Sequence, residues 1–233
     1  MTASRRLALF DLDHTLLPLD SDYQWAEFLA RTGRAGDPEE ALRRNNDLMD
    51  RYNRGDLTAE QAAEFMLGLL AAHHPHDLAR FHEEYMQAIV RPAITQRALK
   101  LVRSHLDAGD LCAIVTATNT FVTAPIARAF GIEHLIGVIP ELAAGRYTGR
   151  FVGTPSFKEG KVVRVNEWLA GMGLALADFS ETFFYSDSIN DVPLLEAVTR
   201  PVATNPSPAL RELAQANGWQ VLNLFAHMED AKS

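Results

Sequence analysis

Acidic residues occur in pairs directly after two short apolar runs that lie far apart in the chain. Asp11 and Asp13 follow the apolar residues 7–10, and Asp187 and Asp191 follow a second apolar run that ends at residue 185. Two carboxylates at the buried end of a strand are unfavourable unless a positive charge lies between them. Mg²⁺ binds carboxylate oxygens, so the pattern indicates a site for a divalent cation.

A threonine and a lysine occupy comparable positions. Thr116 follows the apolar residues 113–115, and Lys161 begins a helical stretch just after Gly160. Each feature also has an ordinary explanation, because an Asp can cap a helix, a Thr can end a strand and a Lys is usually solvated. All four features in this order on one α/β pattern favour a shared active site over separate coincidences.

Alternating strand and helix patterns predict how these residues are positioned. Strands are predicted at 7–10, 111–116, 183–185 and 201–204, with helices at 94–106, after Asn119 and after Gly160. The alternation predicts an α/β fold with a parallel sheet covered by helices on both faces. The active site should lie beyond the carboxyl ends of the strands. The pattern of residues 136–151 predicts a small β-hairpin that turns at Ala144-Gly145.

The segment between the first strand and Arg91-Pro92 has a different pattern. Apolar residues repeat there at helical spacing in four stretches, and Thr58 with Gln61 predicts a capping box at the start of one helix. We therefore predict a helical bundle inserted into the core. Residues 1–17 and 92–233 are expected to form the catalytic core, and residues 18–91 the cap.

Composition excludes several classes of partner. The 233-residue chain is 47% hydrophobic and has a formal net charge of −8, with no long basic run to bind nucleic acid. No apolar stretch approaches the ~20 residues of a membrane helix, and the run at 7–10 is too short for an export signal. The single cysteine, Cys112, lies in an apolar run and predicts a buried thiol. We expect a cytoplasmic protein; the sequence does not define its oligomeric state.

The four motifs together resemble those of the haloacid-dehalogenase superfamily, subfamily IB, whose members include phosphoserine-phosphatase-like and histidinol-phosphatase-like proteins. The first motif of the family is Asp-x-Asp-x-Thr, here Asp11, Asp13 and Thr15. The other motifs are a strand-end Ser or Thr, a Lys and an acidic pair, here Thr116, Lys161 and Asp187 with Asp191. The resemblance implies a Rossmann-like core, an inserted helical cap and a small β-hairpin flap.

The resemblance also implies a reaction, the Mg²⁺-dependent hydrolysis of a small phosphate monoester through an aspartyl-phosphate. Asp11 would be the nucleophile and Asp13 the general acid and base. Thr116 and Lys161 would bind the phosphoryl group. The Mg²⁺ ligands would be Asp11, the backbone carbonyl of Asp13 and Asp187, with Asp191 either a direct ligand or placed behind one.

Three acidic residues bear on the substrate. In phosphoserine phosphatases an acid after the first motif binds the substrate amine, a role open here to Asp20 or Asp22, and a cap arginine binds the carboxylate. A rough alignment places Glu64 where that arginine falls, and a carboxylate there would repel the carboxylate of phosphoserine. The three acids favour a cationic leaving group, and the preferred substrate is histidinol phosphate. Phosphoserine stays an alternative, with Arg51 or Arg54 as its partner.

Two other functions fit the same fold. A phosphotransferase would pass the phosphoryl group to an acceptor alcohol instead of water. A non-enzymatic binding protein on the same fold would not need every motif residue, so the complete set favours an enzyme.

Overall fold

The computed structural model of the protein describes residues 5–54, 56 and 58–225. Residues 1–4 and 226–233 of the predicted core lie outside the described residues. The strands are β1 (Arg6–Phe10), β2 (Leu111–Asn119), β3 (His134–Ala143), β4 (Arg146–Val152), β5 (Glu181–Ser186), β6 (Arg200–Thr204) and β7 (Gln220–Leu222). They form one seven-stranded sheet in the order β4-β3-β2-β1-β5-β6-β7. All neighbours are parallel except β3 and β4, which confirms the predicted α/β fold.

The first strand lies in the middle of the sheet, between β2 and β5. Its last residue, Phe10, pairs with Ile114 on one side and with Tyr185 on the other. Parallel strands place their carboxyl ends at the same edge. Residues 11, 116 and 187 follow these paired residues by one or two positions, so they lie along one edge of the sheet. Each of them belongs to one of the predicted motifs.

Helices cover both faces of the sheet. They are α1 (Ser21–Arg31), α2 (Pro38–Arg54), α3 (Ala59–Ala71), α4 (Pro75–Tyr85), α5 (Arg91–Ala93), α6 (Gln96–Leu106), α7 (Thr120–Phe130), α8 (Glu159–Gly171), α9 (Val192–Ala197) and α10 (Pro208–Asn217). A π-helical turn, Met86–Val90, joins α4 to α5. Because side chains alternate along a strand, Leu7 and Leu9 pack in the core on the α8–α10 side, whereas Ala8 and Phe10 pack in the core that faces α6 and α7.

The helices α1–α4 lie between β1 and β2, where the helical periodicity predicts them. The predicted capping box is present, since Thr58 accepts a hydrogen bond from the Gln61 N–H and the Gln61 side chain accepts one from the Thr58 N–H. The fully buried Trp25 of α1 packs in the same apolar cluster as Phe10. The inserted helices and one face of the sheet thus share a continuous core.

The predicted hairpin is present, but it is also the edge of the main sheet. Its turn lies at Ala144 and Gly145, both at positive φ (48° and 75°), as a two-residue type I′ turn requires. Its first strand, β3, pairs in parallel with β2. Its second strand packs against α3, and a Cβ on Gly149 would lie 3.7 Å from the Gly68 Cα of that helix. The hairpin therefore supports the inserted helices directly.

One sequence-based exclusion and one expectation concern the described part of the chain. None of the helices described there combines the length and the apolar character that a membrane crossing requires. The predicted burial of Cys112 is confirmed, since its side chain is buried, and burial raises the pKa of its thiol to about 12.

A bulge in β2 lies next to the acidic edge of the sheet. Val115 pairs with Ile136 and Asn119 pairs with Val138, so residues 116–118 of β2 lie opposite the single residue Gly137 of β3. A Cβ at Gly137 would lie 2.7 Å from the Thr118 carbonyl oxygen. A glycine is needed there because the bulged backbone comes so close.

We expect Gly137→Ala to destabilise the protein by about 1–3 kcal/mol, because the new methyl group forces the bulge and β3 apart. The corresponding fall in melting temperature is roughly 2–4 °C per kcal/mol for a domain of this size. The matched control is Gly171→Ala at the end of α8, where a Cβ meets no atom within 4 Å. Equal melting temperatures for the two variants would contradict the steric role of Gly137.

Candidate active site

A cavity of about 670 Å³ opens at the carboxyl edge of the sheet. Its volume suits a small ligand. Among the residues lining it are eight of the nine predicted site residues, namely Asp11, Asp13, Asp20, Asp22, Thr116, Lys161, Asp187 and Asp191. The fold thus brings together side chains that are up to 180 residues apart in the sequence.

Lys161 lies between two carboxylates. Its Nζ donates to Asp11 Oδ1 at 2.8 Å and to Asp191 Oδ2 at 2.7 Å, and its side chain is 3% exposed. Burial alone would lower the pKa of Lys161, but the two acids raise it above its usual value, so the lysine stays charged. The α8 helix buries Lys161 because it lies on the same helical stripe as Val165 and Leu169.

Asp191 is fixed next to Lys161 by two hydrogen bonds. Besides the lysine, its Oδ2 accepts a hydrogen bond from Ser186 Oγ at 2.6 Å. Ser186 was not predicted from the sequence as a site residue. These contacts fix Asp191 against Lys161, which in turn lies beside Asp11.

Thr15 connects Asp11 with Asp187. Its Oγ1 lies 3.1 Å from Asp11 Oδ2 and 3.0 Å from Asp187 Oδ1. Burial and the neighbouring acids raise the pKa of Asp11 to about 6, against the opposing effect of Lys161. Burial and the charge of Asp11 raise the pKa of Asp187 to about 8. One lysine therefore does not compensate the negative charge collected at this edge.

This uncompensated charge fits a divalent cation. Mg²⁺ prefers oxygen ligands and usually keeps several waters, so it needs only a few protein ligands. Asp11 and Asp187 offer carboxylates beside each other. The described residues contain no group of three or more acidic, histidine or cysteine side chains arranged around one metal position.

Both carboxylate oxygens of Asp13 are already engaged. Oδ1 accepts from the Ser21 N–H at 2.8 Å, and Oδ2 accepts from Thr118 Oγ1 at 2.8 Å. Thr116 Oγ1 lies farther from Oδ2, at 3.5 Å, and accepts from the Thr118 N–H at 3.1 Å. Burial raises the pKa of Asp13. The Asp13 carboxylate is therefore held by one donor from α1 and one from β2.

Asp20 and Asp22 lie at the start of α1 and line the cavity. Asp20 is the N-cap and accepts from the Tyr23 N–H at 2.7 Å. Asp22 Oδ1 accepts from Asn119 Nδ2 at 2.8 Å, while Asn119 Oδ1 caps α7. Burial, followed by the charges of Asp20 and Asp13, raises the pKa of Asp22 well above its usual value. Burial raises the pKa of Asp20 and the charge of His14 opposes this rise, but no lysine or arginine among the described residues is paired with either acid.

The structure does not bring Glu64 to the cavity. Glu64 is exposed, and the residues of α3 that line the cavity are Ala62, Ala63 and Met66. These three share one side of the helix, and the 100° rotation per residue directs position 64 away from it. The expectation that Glu64 contacts the substrate is therefore not supported, and Asp20 and Asp22 alone carry the acidic character of this side.

Thr118 and Asn119 are site residues that the sequence patterns did not single out. A signal was present, since the segment Thr116-Ala117-Thr118-Asn119 is rich in polar side chains at the end of an otherwise apolar strand. What the sequence does not reveal is the bulge in β2, which directs these side chains to Asp13 and Asp22.

Comparison with known proteins identifies relatives over nearly the whole chain. Residues 8–196 match the haloacid dehalogenase-like hydrolase family. The chain is 42% identical over 220 residues to a histidinol-phosphatase of Neisseria meningitidis serogroup C, covering 94% of this chain and 99% of that protein.

Solved structures show the same fold. A protein of unknown function from Bordetella pertussis Tohama I is 76% identical, with a TM-score of 0.94 over 96% of this chain and 100% of that chain. A substrate-bound phosphoserine phosphatase is 20% identical, with a TM-score of 0.66 over 94% of this chain and 92% of that chain. At this low identity the second likeness concerns the fold alone.

We expect Lys161→Met to lower the free energy of unfolding by about 3–5 kcal/mol, because it removes the cation from a buried group of carboxylates. Chemical denaturation in the presence of a chelator measures this loss without compensation by divalent metal ions. The control is Lys100→Met on α6, where the lysine is exposed and the change should stay within ~0.5 kcal/mol. If both variants were equally stable, Lys161 would not be the residue that compensates these acids.

Proposed function

Because the chain belongs to the haloacid dehalogenase-like hydrolase family and is a phosphoric monoester hydrolase, we propose that it hydrolyses histidinol phosphate in a Mg²⁺-dependent reaction. The proposal rests chiefly on the charge of the cavity. Asp20 and Asp22, at the start of α1, add two acidic side chains to its wall. This arrangement favours a leaving group that carries positive charge, as the amine and imidazole of histidinol do.

The cavity offers a substrate carboxylate no arginine and no free lysine among its described residues, and His14 is the other basic side chain in its wall. Among the described residues that line it there is no arginine, and its lysine, Lys161, is held by two acids. The arginines considered for phosphoserine, Arg51 and Arg54, are exposed near the end of α2 and face Asp47 and Asp56. Neither lines the cavity. The histidinol-phosphatase of Neisseria, which matches almost end to end, supports the same substrate.

In the first half of the proposed reaction, the Asp11 carboxylate attacks phosphorus. The bond from phosphorus to the leaving oxygen breaks, and Asp13 donates a proton to that oxygen, so the alcohol leaves neutral. Lys161 offsets charge beside Asp11, and Thr116 donates a hydrogen bond to a phosphoryl oxygen. Mg²⁺, held by Asp11, Asp187 and the Asp13 carbonyl, would supply positive charge against the phosphoryl oxygens.

In the second half, Asp13 is a carboxylate and accepts a proton from a water molecule. The water oxygen attacks phosphorus, the acyl phosphate bond breaks, and Asp11 is regenerated as a carboxylate together with inorganic phosphate. One residue thus serves as acid and then as base. The contacts of Asp13 to the start of α1 and to β2 suit this role, because the same orientation must serve both halves.

A substrate panel tests the proposal. With Mg²⁺, we expect kcat/KM for histidinol phosphate to exceed that for phosphoserine by on the order of 100-fold, because the acids repel the carboxylate of phosphoserine. Phosphate release should stop on chelation and return with added Mg²⁺. Asp11→Asn lacks the nucleophile, and its rate of phosphate release gives the background. Faster hydrolysis of phosphoserine would overturn the substrate assignment, and wild-type activity in Asp11→Asn would overturn the mechanism.

We expect Asp22→Asn to raise KM for histidinol phosphate by roughly tenfold to hundredfold, the value of a hydrogen bond to a charged group. The effect on p-nitrophenyl phosphate, which has no cation, should be much smaller. Glu64→Gln is the matched control, since it removes an equal charge from the inserted helices outside the cavity. An equal response of both substrates to Asp22→Asn would show that Asp22 does not recognise the cation.

A further inference from the structure

The bulge in β2 places a second hydroxyl in the site, two residues after Thr116. Thr118 is 5% exposed, and its Oγ1 donates to Asp13 Oδ2 at 2.8 Å. The corresponding distance from Thr116 Oγ1 is 3.5 Å. Of these two threonines, Thr118 is therefore the one that holds the Asp13 carboxylate.

Asp13 is held from two independent elements. The Ser21 N–H, at the first residue of α1, binds Oδ1 at 2.8 Å, and Thr118 of β2 binds Oδ2. Each carboxylate oxygen has two acceptor positions. The second position on Oδ1 stays available, whereas Thr116 Oγ1 approaches Oδ2 at 3.5 Å. The two donors thus fix the plane of the carboxylate and leave room for the proton that Asp13 transfers.

We propose that Thr118 is a positioning residue for proton transfer by Asp13. This inference rests on the proposed function, in which Asp13 protonates the leaving oxygen and later accepts a proton from water. Thr118 takes no proton itself; its hydroxyl keeps the Asp13 carboxylate oriented toward the bond that breaks. Without it, Asp13 keeps the hydrogen bond from the Ser21 N–H and the longer contact from Thr116 Oγ1, so its carboxylate is oriented less tightly.

A purely structural role for Thr118 predicts a different result. If the hydroxyl only satisfied a buried polar group, its loss would lower stability and would affect all substrates alike. A role in proton transfer depends on the leaving group instead. The alcohol oxygen of histidinol must be protonated as its bond to phosphorus breaks, whereas p-nitrophenolate is a stable anion and needs little help from a general acid.

The experiment compares Thr118→Val and Thr118→Ser on these two substrates with Mg²⁺. For Thr118→Val, which keeps the shape and removes the hydroxyl, we expect kcat for histidinol phosphate to fall roughly tenfold to hundredfold, part of the ~10²–10⁴-fold that general acid–base catalysis supplies. The loss for p-nitrophenyl phosphate should be at least about tenfold smaller. Thr118→Ser keeps the hydroxyl and should restore most of kcat for histidinol phosphate.

Asp13→Asn separates failure of this inference from failure of the proposed function. It should show the same dependence on the leaving group in a stronger form. If Asp13→Asn is selective and Thr118→Val affects both substrates equally, the role of Thr118 is wrong and that of Asp13 stands. If Asp13→Asn is not selective, both are wrong. Melting curves accompany each variant, and Thr118→Ala replaces Thr118→Val should the latter not fold.

Discussion

The site depends on how a group of buried carboxylates is kept together. Isolated buried charges are strongly unfavourable, and the centre of the sheet edge has Lys161 as the cation that touches Asp11 and Asp191. The backbone is closely packed where the loop before α8 leads to this lysine. A Cβ on Gly160 would collide with the Pro155 carbonyl, and Lys158 adopts a φ of 50°. The backbone of this segment is therefore constrained by the position that Lys161 must reach.

The inserted helices are tied to the same group of charges through the start of α1. Ser21 binds Asp13 through its N–H, and its carbonyl accepts from the buried Tyr85 of α4 at 2.9 Å. The adjacent Asp22 is held by Asn119 of β2. His82 of α4 also donates through Nε2 to the Val122 carbonyl of α7 at 2.8 Å. The residues proposed to handle the proton and the leaving group are thus positioned by elements that also join the helices to the sheet.

Local patterns in the sequence predicted the parts of this arrangement that local interactions determine. The apolar run before Asp11, the turn at Ala144-Gly145 and the capping box at Thr58 each follow from the residues within a few positions. The outward direction of Glu64 does not, because it depends on how α3 rotates against β4 in three dimensions. The contacts of Thr118 and Asn119 depend in the same way on a bulge defined by pairing with β3. The strand β7 has little sequence signal, since only its three residues, Gln220–Leu222, pair with β6.

The groups proposed to act on phosphorus and those proposed to recognise the leaving group lie on different elements of the fold. This separation explains how one fold can act on different phosphate esters. The groups proposed to act on phosphorus come from strand ends and from α8, whereas Asp20 and Asp22 belong to α1. A fold shared with a phosphoserine phosphatase at 20% identity does not define the substrate, because function depends on the residues placed on the fold. Asp13 lies at the boundary, with one oxygen bound from α1 and the other from β2. A change in the helices that alters recognition of the leaving group would therefore also act on the residue proposed to protonate it. In the proposed mechanism, specificity and proton transfer are thus coupled through Asp13.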